Sequence, residues 1–249
     1  MWEDILLFMA VGFAAQLVDG ALGMAYGPTG TAVLLSLGVA PATASASVHA
    51  AEIVTTGVSG ASHWKVGNVR WKLVKNLAIP GLLGGIVGAV ILTMIPSDIV
   101  RPIVSLYLVV MGGYILWRAF RSSNGDEPEV KWIHAIGAGG GFFDAIGGGG
   151  WGPIVNSALL GQGTRARYTI GSVNAAEFFV TLAISATLIG TLGLDMWPII
   201  LGLILGGAIA APIAAIAVKY IPDKPLIVIV GFVIIALSLY SILHTFEIV

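Results

Sequence analysis

Apolar residues run along this chain in long blocks, separated by short polar or glycine-rich stretches. A membrane-spanning helix needs about 20 predominantly apolar residues at roughly 1.5 Å each. Six blocks qualify, at about 42–63, 73–95, 98–119, 168–190, 196–218 and 225–246. Two other regions differ. Residues 4–25 are long enough to cross, but their second half carries Gln16, Asp19, Gly20 and Gly23, and a piece from Pro28 to Val39, too short to cross, follows. Residues 132–146, then Gly147–Gly150, then a short piece from Pro153 to Leu160 repeat that order. Gly27-Pro28 and Gly152-Pro153 predict a helix start at each proline, whose missing N–H costs nothing in a first turn. Each region thus reads as a helix, a glycine break and a short helix. Non-helical backbone at membrane depth persists only where it is buried in protein or lines a cavity.

The two halves match at a fixed offset. Asp19, Gly23, Tyr26, Gly27 and Pro28 fall 125 positions before Asp144, Gly148, Trp151, Gly152 and Pro153. Ser47-Val48-His49-Ala50-Ala51-Glu52 falls on Ser172-Val173-Asn174-Ala175-Ala176-Glu177 without a gap, and Ile95-Pro96 falls on Ile221-Pro222 one position later. The expected division is a first repeat over 1–120, a polar linker over 121–131 and a second repeat over 132–249.

The basic residues set the orientation. If each broken region returns to the face it entered from, one face collects Lys65, Arg70, Lys72, Lys75, Arg118, Arg121, Lys131, Arg165, Arg167, Lys219 and Lys224, and the other keeps Arg101 alone, a split of 11 to 1. A single crossing of each broken region gives 7 to 5 at best. The first arrangement puts the basic loops in the cytoplasm and both termini on the non-cytoplasmic side. It also turns the halves upside down relative to each other. The expected fold is an all-α polytopic membrane protein of two inverted-topology repeats, each a glycine-broken, re-entrant helix pair plus three transmembrane helices. Inverted repeats with discontinuous helices near the midplane characterise secondary transporters.

Composition agrees and narrows the choice. The 249 residues are 57% hydrophobic and 10% charged, with mean hydropathy +0.96. Soluble domains are about 45–50% apolar and about 25% charged, so the expected partner is the lipid bilayer. A formal net charge of −1 argues against nucleic acid. The lack of cysteine removes disulfides and thiolate chemistry. Met1-Trp2-Glu3-Asp4 is acidic where a cleavable signal would be basic. There is no His-Glu-x-x-His, Gly-x-Ser-x-Gly or phosphate-binding Gly-x4-Gly-Lys loop, so no enzyme, cofactor or resident metal is expected.

Few ionisable residues lie inside spans, and such residues usually face a cavity or a partner. Asp19, Glu52, Asp144 and Glu177 are the candidates for proton or ion coupling; at Asp19 and Asp144 a structural role at the break stands equally open. His49 and Asn174 each lie three residues before a glutamate, on the same helical face. Gly27, Pro28, Thr29, Gly152, Pro153 and Asn156 mark the short-helix starts, whose unpaired N–H groups and positive dipole ends suit a small anion. With His49 and Asn174 they make up the candidate substrate site. A cation stays open as an alternative, because carboxylates outnumber bases within the spans. Tyr26 and Trp151 read as packing or as cavity walls, and Arg101 as a side chain reaching toward the interface.

The segment Gly141-Phe142-Phe143-Asp144-Ala145-Ile146-Gly147-Gly148-Gly149-Gly150-Trp151-Gly152-Pro153 and the two glutamate-bearing helices resemble the sulfite exporter TauE/SafE family, also called 4-toluene sulfonate uptake permeases. The likeness covers nearly the whole chain, although the first break, Asp19 to Pro28, is less glycine-rich. It implies a multi-pass carrier of the prokaryotic inner membrane that moves sulfite or a related small sulfur-containing or organic anion. Alternating access, with a proton as the coupling ion, is the expected mechanism. A passive anion channel is the alternative, and such folds often form homo-oligomers.

Overall fold

The computed structural model describes residues 2–22, 26–65, 67–118, 130–162, 164, 166–193, 196–217 and 223–246. All regular structure among them is helical: α1 (Trp2–Leu22), α2 (Tyr26–Ser36), α3 (Pro41–Lys65), α4 (Trp71–Met94), α5 (Ser97–Arg118), α6 (Ile133–Gly147), α7 (Ser157–Gly161), α8 (Ala166–Leu192), α9 (Trp197–Ala217) and α10 (Asp223–Thr245). A π-helical turn, Gly152–Asn156, leads straight into α7. Three stretches are long and apolar enough to cross a membrane, Trp71–Met94, Ser97–Trp117 and Tyr168–Leu192, and shorter apolar runs lie in α1, α9 and α10. Residues 121–129 of the expected linker and Gly23 of the first break lie outside the described residues.

Side-chain size and polarity decide which helix face turns inward. On α4, Ile79, Leu83, Val87, Val90 and Met94 are exposed at spacings of three and four, a lipid-facing stripe. Its opposite face carries Gly81, Gly84 and Gly88, which bring α6 to backbone contact. Lipid offers apolar side chains as good a home as the protein does, so small residues that admit close approach drive helix association. The polar helices α3 and α8 occupy the centre. Ser45, His49, Glu52, Thr55 and Thr56 are buried on one, and Thr169, Ser172, Glu177, Thr181 and Ser185 on the other.

Positions related by the sequence offset make matching contacts. A Cβ on Gly12 would lie 2.5 Å from the carbonyl oxygen of Leu203, and one on Gly137 2.7 Å from that of Leu77. Gly207 abuts Tyr26 and Thr55, as Gly81 abuts Trp151 and Val180. The phenol of Tyr26 donates to the Leu203 carbonyl at 3.0 Å, and the Trp151 indole donates to the Val173 carbonyl at 3.2 Å. Both aromatics are buried packing residues. Helix α1 runs parallel to α9 and α6 parallel to α4, so each broken segment is held by the fourth helix of the other half. Counterpart helices meet antiparallel. Gly57 touches Phe178 while Gly60 touches Ala175, and Ser105 bonds Ser241 while Gly112 meets Gly231.

The guanidinium of Arg101, at the start of α5, donates to the carbonyls of Leu35, Gly38 and Val39 at 3.3, 2.7 and 3.1 Å. It therefore caps the C-terminal end of α2, where carbonyls lack helical partners, and is not a free end reaching for the interface. The bond ties α2 to the end of the bundle where α5 begins. Since α4 and α8 run parallel, through Gly81–Val180 and Gly85–Ile184, α5 and α9 begin at that same end, as does α1. The first broken segment returns to the end of the bundle it entered from, and the second does so at the opposite end.

Candidate functional site

The short helices start earlier than their prolines. The first begins at Tyr26, two residues before Pro28, and the second at Gly152 with Trp151 as its cap. The cause is a carboxylate seven residues upstream in each half. Asp19 Oδ1 accepts the Tyr26 N–H at 3.2 Å, and Asp144 Oδ1 accepts the Trp151 N–H at 2.9 Å and the Gly150 N–H at 2.6 Å. These aspartates satisfy the N–H groups that a helix start leaves open.

At the second break α6 ends with Gly148 in the left-handed region, at φ +65°, and Gly149 follows at φ +139°. Side-chain-bearing residues rarely adopt such values, which accounts for the glycine run. There the two breaks touch. A Cβ on Gly149 would lie 2.2 Å from the carbonyl carbon of Gly27 and 2.4 Å from the Pro28 nitrogen. The Thr31 hydroxyl donates to the Gly148 carbonyl across the same junction.

Around that junction a small cavity is lined by Asp19, Glu52, Asp144 and Glu177, by Gly27 and Pro28 from the first break, and by Gly149, Gly150, Gly152 and Pro153 from the second. One carboxyl comes from each of α1, α3, α6 and α8, so the expected coupling residues and both Gly-Pro starts meet at one point. The space accessible to a water centre is about 10 Å³, room for about one water molecule. Gly149 and Gly150 are the wall residues absent from the expected set, and the run Gly147–Gly150 was their only signal. Among the described residues no group of three or more His, Asp or Glu side chains is placed to hold a metal ion.

Four expected residues lie outside that wall. His49 is fully buried and faces Asp144: its Nε2 lies 3.2 Å from Asp144 Oδ2, while its Nδ1 lies 2.8 Å from the Ser45 carbonyl oxygen. A carbonyl only accepts, so Nδ1 carries a hydrogen, and the Nε2–Oδ2 bond then requires one further proton shared between imidazole and carboxyl. The Ser45 hydroxyl donates to the Ala145 carbonyl at 2.7 Å, fixing α3 to the end of α6. Asn174, the counterpart of His49, donates instead to Ser59 Oγ at 2.8 Å. Thr29 and Asn156 are buried in the first turns of the short segments. Neither Thr29 Oγ1 nor Glu52 Oε2 has a hydrogen-bond partner among the described residues.

Apolar helices surrounding a buried polar cavity, with two helix breaks at its wall, define a membrane-embedded transporter. The chain belongs to the sulfite exporter TauE/SafE family, whose model matches residues 8–241. It is 41% identical over 246 residues to a Bacillus subtilis (strain 168) protein named "Probable membrane transporter protein YtnM", an alignment covering 94% of this chain and 81% of that relative. No solved structure matches it significantly.

Proposed function

We propose that this protein is a secondary transporter of sulfite or a related small sulfur-containing or organic anion, working by alternating access and coupled to protons. The family's description supports the substrate class. The observation that carries the mechanism is the meeting of Asp19, Glu52, Asp144 and Glu177 with both Gly-Pro starts around one cavity. Four carboxyl groups around an anion in a medium of low dielectric repel it unless protons accompany it. A proton thus enters the site with the anion, and the His49–Asp144 pair, together with Glu52 and Glu177, holds it. With room for about one water, the cavity has to widen to take the anion, and parting the Gly27–Gly149 contact widens it.

In this reading the halves 1–120 and 132–249 are inverted repeats that interleave, so that α1 moves with α9 and α6 with α4. The repeat is supported by the matching surroundings of Gly12 and Gly137, which meet Leu203 and Leu77, and of Gly81 and Gly207, which meet Trp151 and Tyr26. The basic helix ends face the cytoplasm, and both termini lie on the other side of the inner membrane. Flux of sulfite into proteoliposomes, with and without a pH gradient, tests the proposal. Glu52→Gln and Glu177→Gln each lower flux at least tenfold; unchanged flux in both removes the carboxylates from the mechanism. Saturable counter-exchange is expected, and single-channel currents would replace the carrier with a channel. A small-cation carrier is the second reading, favoured by the acidic wall, and cation flux indifferent to sulfite would decide for it.

A further inference from the structure

The four glycines of the second break serve two purposes. Gly148 and Gly149 supply positive φ angles, whereas Gly147 and Gly150 do not; these two make room for Tyr107 of α5. A Cβ on Gly147 would strike the edge of that ring, coming within 2.7 Å of Cδ1 and 3.0 Å of Cζ. A Cβ on Gly150 would strike the phenol oxygen, while lying 3.3 Å from the ring carbon that bears it and 3.4 Å from the Asp144 nitrogen. At position 150 it is therefore chiefly the oxygen that excludes a side chain. The ring itself stacks on Phe143, with centroids 6.2 Å apart and planes within 10°. The hydroxyl is buried and has no hydrogen-bond partner among the described residues.

The sequence of the first repeat lacks this combination. The counterpart of Tyr107 is Val233 at offset 126, and those of Gly147 and Gly150 are Leu22 and Ala25 at offset 125. Phenylalanine would fill the hollow at Gly147 and stack on Phe143 equally well, so packing accounts for the ring and not for the oxygen. An unpartnered hydroxyl in the interior works against folding, yet a glycine is kept at position 150 to admit it. Gly150 belongs to the cavity wall, so the hydroxyl stands against a wall residue that has no side chain to cover it. An anion in the cavity needs donors, and those at the helix starts are spent: Asp144 takes the N–H groups of Gly150 and Trp151, and Asp19 takes that of Tyr26.

We propose that Tyr107 is a further substrate-binding residue, whose hydroxyl donates a hydrogen bond to the transported anion once the cavity widens. This rests on the anion-carrier reading above. Gly149 has to leave Gly27 for the cavity to widen, and Gly150 is joined to it, so the same movement shifts the wall residue off the phenol and opens the O–H to the space the anion enters. In the narrow cavity the hydroxyl is idle, and its bond forms only with the anion in place. It also sets specificity, because a phenol donor serves a ligand with oxygen acceptors and contributes nothing to a bare cation, which the four carboxyls would hold without it.

Tyr107→Phe removes the oxygen and keeps the ring. Potassium salts of sulfite, sulfate, methanesulfonate and acetate, and sodium chloride, are titrated onto purified wild type and variant in thermal unfolding, and flux of the ion that binds is measured in proteoliposomes. Without ligand the variant unfolds at the wild-type temperature or above it, because the hydroxyl has no bond to lose. Its Kd and KM for the anion rise about tenfold or more, the weight of a hydrogen bond to a charged group, while maximal flux and the response to a pH gradient persist. Gly150→Ala is destabilising alone and is tolerated in the Tyr107→Phe background, a non-additivity that locates the oxygen at the wall. Phe143→Leu loses the stacking and keeps the hydroxyl, so it leaves KM unchanged; an equal rise in KM there would assign the effect to packing and overturn the proposal. Wild-type Kd and KM in Tyr107→Phe overturn it too, and leave the anion reading standing. The same rise for an anion other than sulfite upholds Tyr107 and overturns only the sulfite assignment, whereas stabilisation of the wild type by sodium alone overturns both.

Discussion

Replacing Asp144 by asparagine separates the proton between His49 and Asp144 from the architecture around it. The carboxylate is buried and makes three hydrogen bonds, to Gly150 N, Trp151 N and His49 Nε2. Asparagine keeps an oxygen for the two backbone N–H groups and turns an NH₂ toward the imidazole. Because His49 Nδ1 holds its hydrogen against the Ser45 carbonyl, a neutral ring offers Nε2 as the acceptor that this NH₂ needs. Every bond survives in uncharged form. Weakening three charge-assisted bonds to neutral ones costs about 1 kcal/mol each, or about 3 kcal/mol at most, because relief from burying a charge offsets part of it. Leucine at the same position leaves two backbone N–H groups and the ring unpaired, at about 1–3 kcal/mol for each orphaned group. The expected order of thermal unfolding in detergent is wild type, then Asp144→Asn, then Asp144→Leu. In proteoliposomes Asp144→Asn still binds and exchanges the anion, but its flux no longer responds to a pH gradient, and His49→Asn behaves likewise. A normal gradient response in both variants would refute the shared proton as the coupling proton. An asparagine variant as unstable as the leucine one would refute the hydrogen-bond assignment.

Gly149→Ala combines a backbone at φ +139° with a Cβ driven into Gly27 and Pro28. It costs more than about 2 kcal/mol and sharply lowers the yield of monodisperse protein in size-exclusion chromatography. Arg101→Gln removes the charged donors from three carbonyls at the end of α2 and lowers stability by about 1–3 kcal/mol in thermal unfolding; wild-type stability would show that this end of α2 needs no cap. Gly81→Leu strikes Trp151 and Val180, and Gly207→Leu strikes Tyr26 and Thr55. The two losses agree within about 1 kcal/mol if the halves are equivalent here, and a silent variant at either site would contradict the equivalence.

The helix spans were legible because they depend on the length and polarity of local sequence: the six expected blocks match α3, α4, α5, α8, α9 and α10 within about two residues at each end. The breaks were legible from Gly-Pro, and the meeting of the four carboxyls from the register of the repeat. What escaped depends on partners far along the chain. Arg101 reads as a lone cation at a helix start, and the carbonyls it caps lie 62 to 66 positions away. His49 and Asn174 occupy equivalent positions, yet one reaches Asp144 and the other Ser59. Spacing places both on an inward face without saying which neighbour satisfies them. The early start of α2 at Tyr26 depends on a cap supplied by Asp19, seven residues upstream and across a break, whereas the proline rule looks only at the first turn.

The exchange of partners between the halves has a consequence for how the protein is made. Helix α1 enters the bilayer with its Ile5–Phe13 face shaped for Gly202 and Gly206 of α9, which begins 197 − 22 = 175 residues after α1 ends. At the usual 5–20 residues per second, roughly 9–35 s of synthesis pass before α1 meets the surface it fits. Throughout that interval Gln16 and Asp19 sit in a segment without its neighbour, in a solvent that offers polar groups no hydrogen bonds. The first half is therefore a natural client for an insertase or chaperone that shields polar helices, and its survival, unlike that of a self-contained domain, depends on translation finishing promptly.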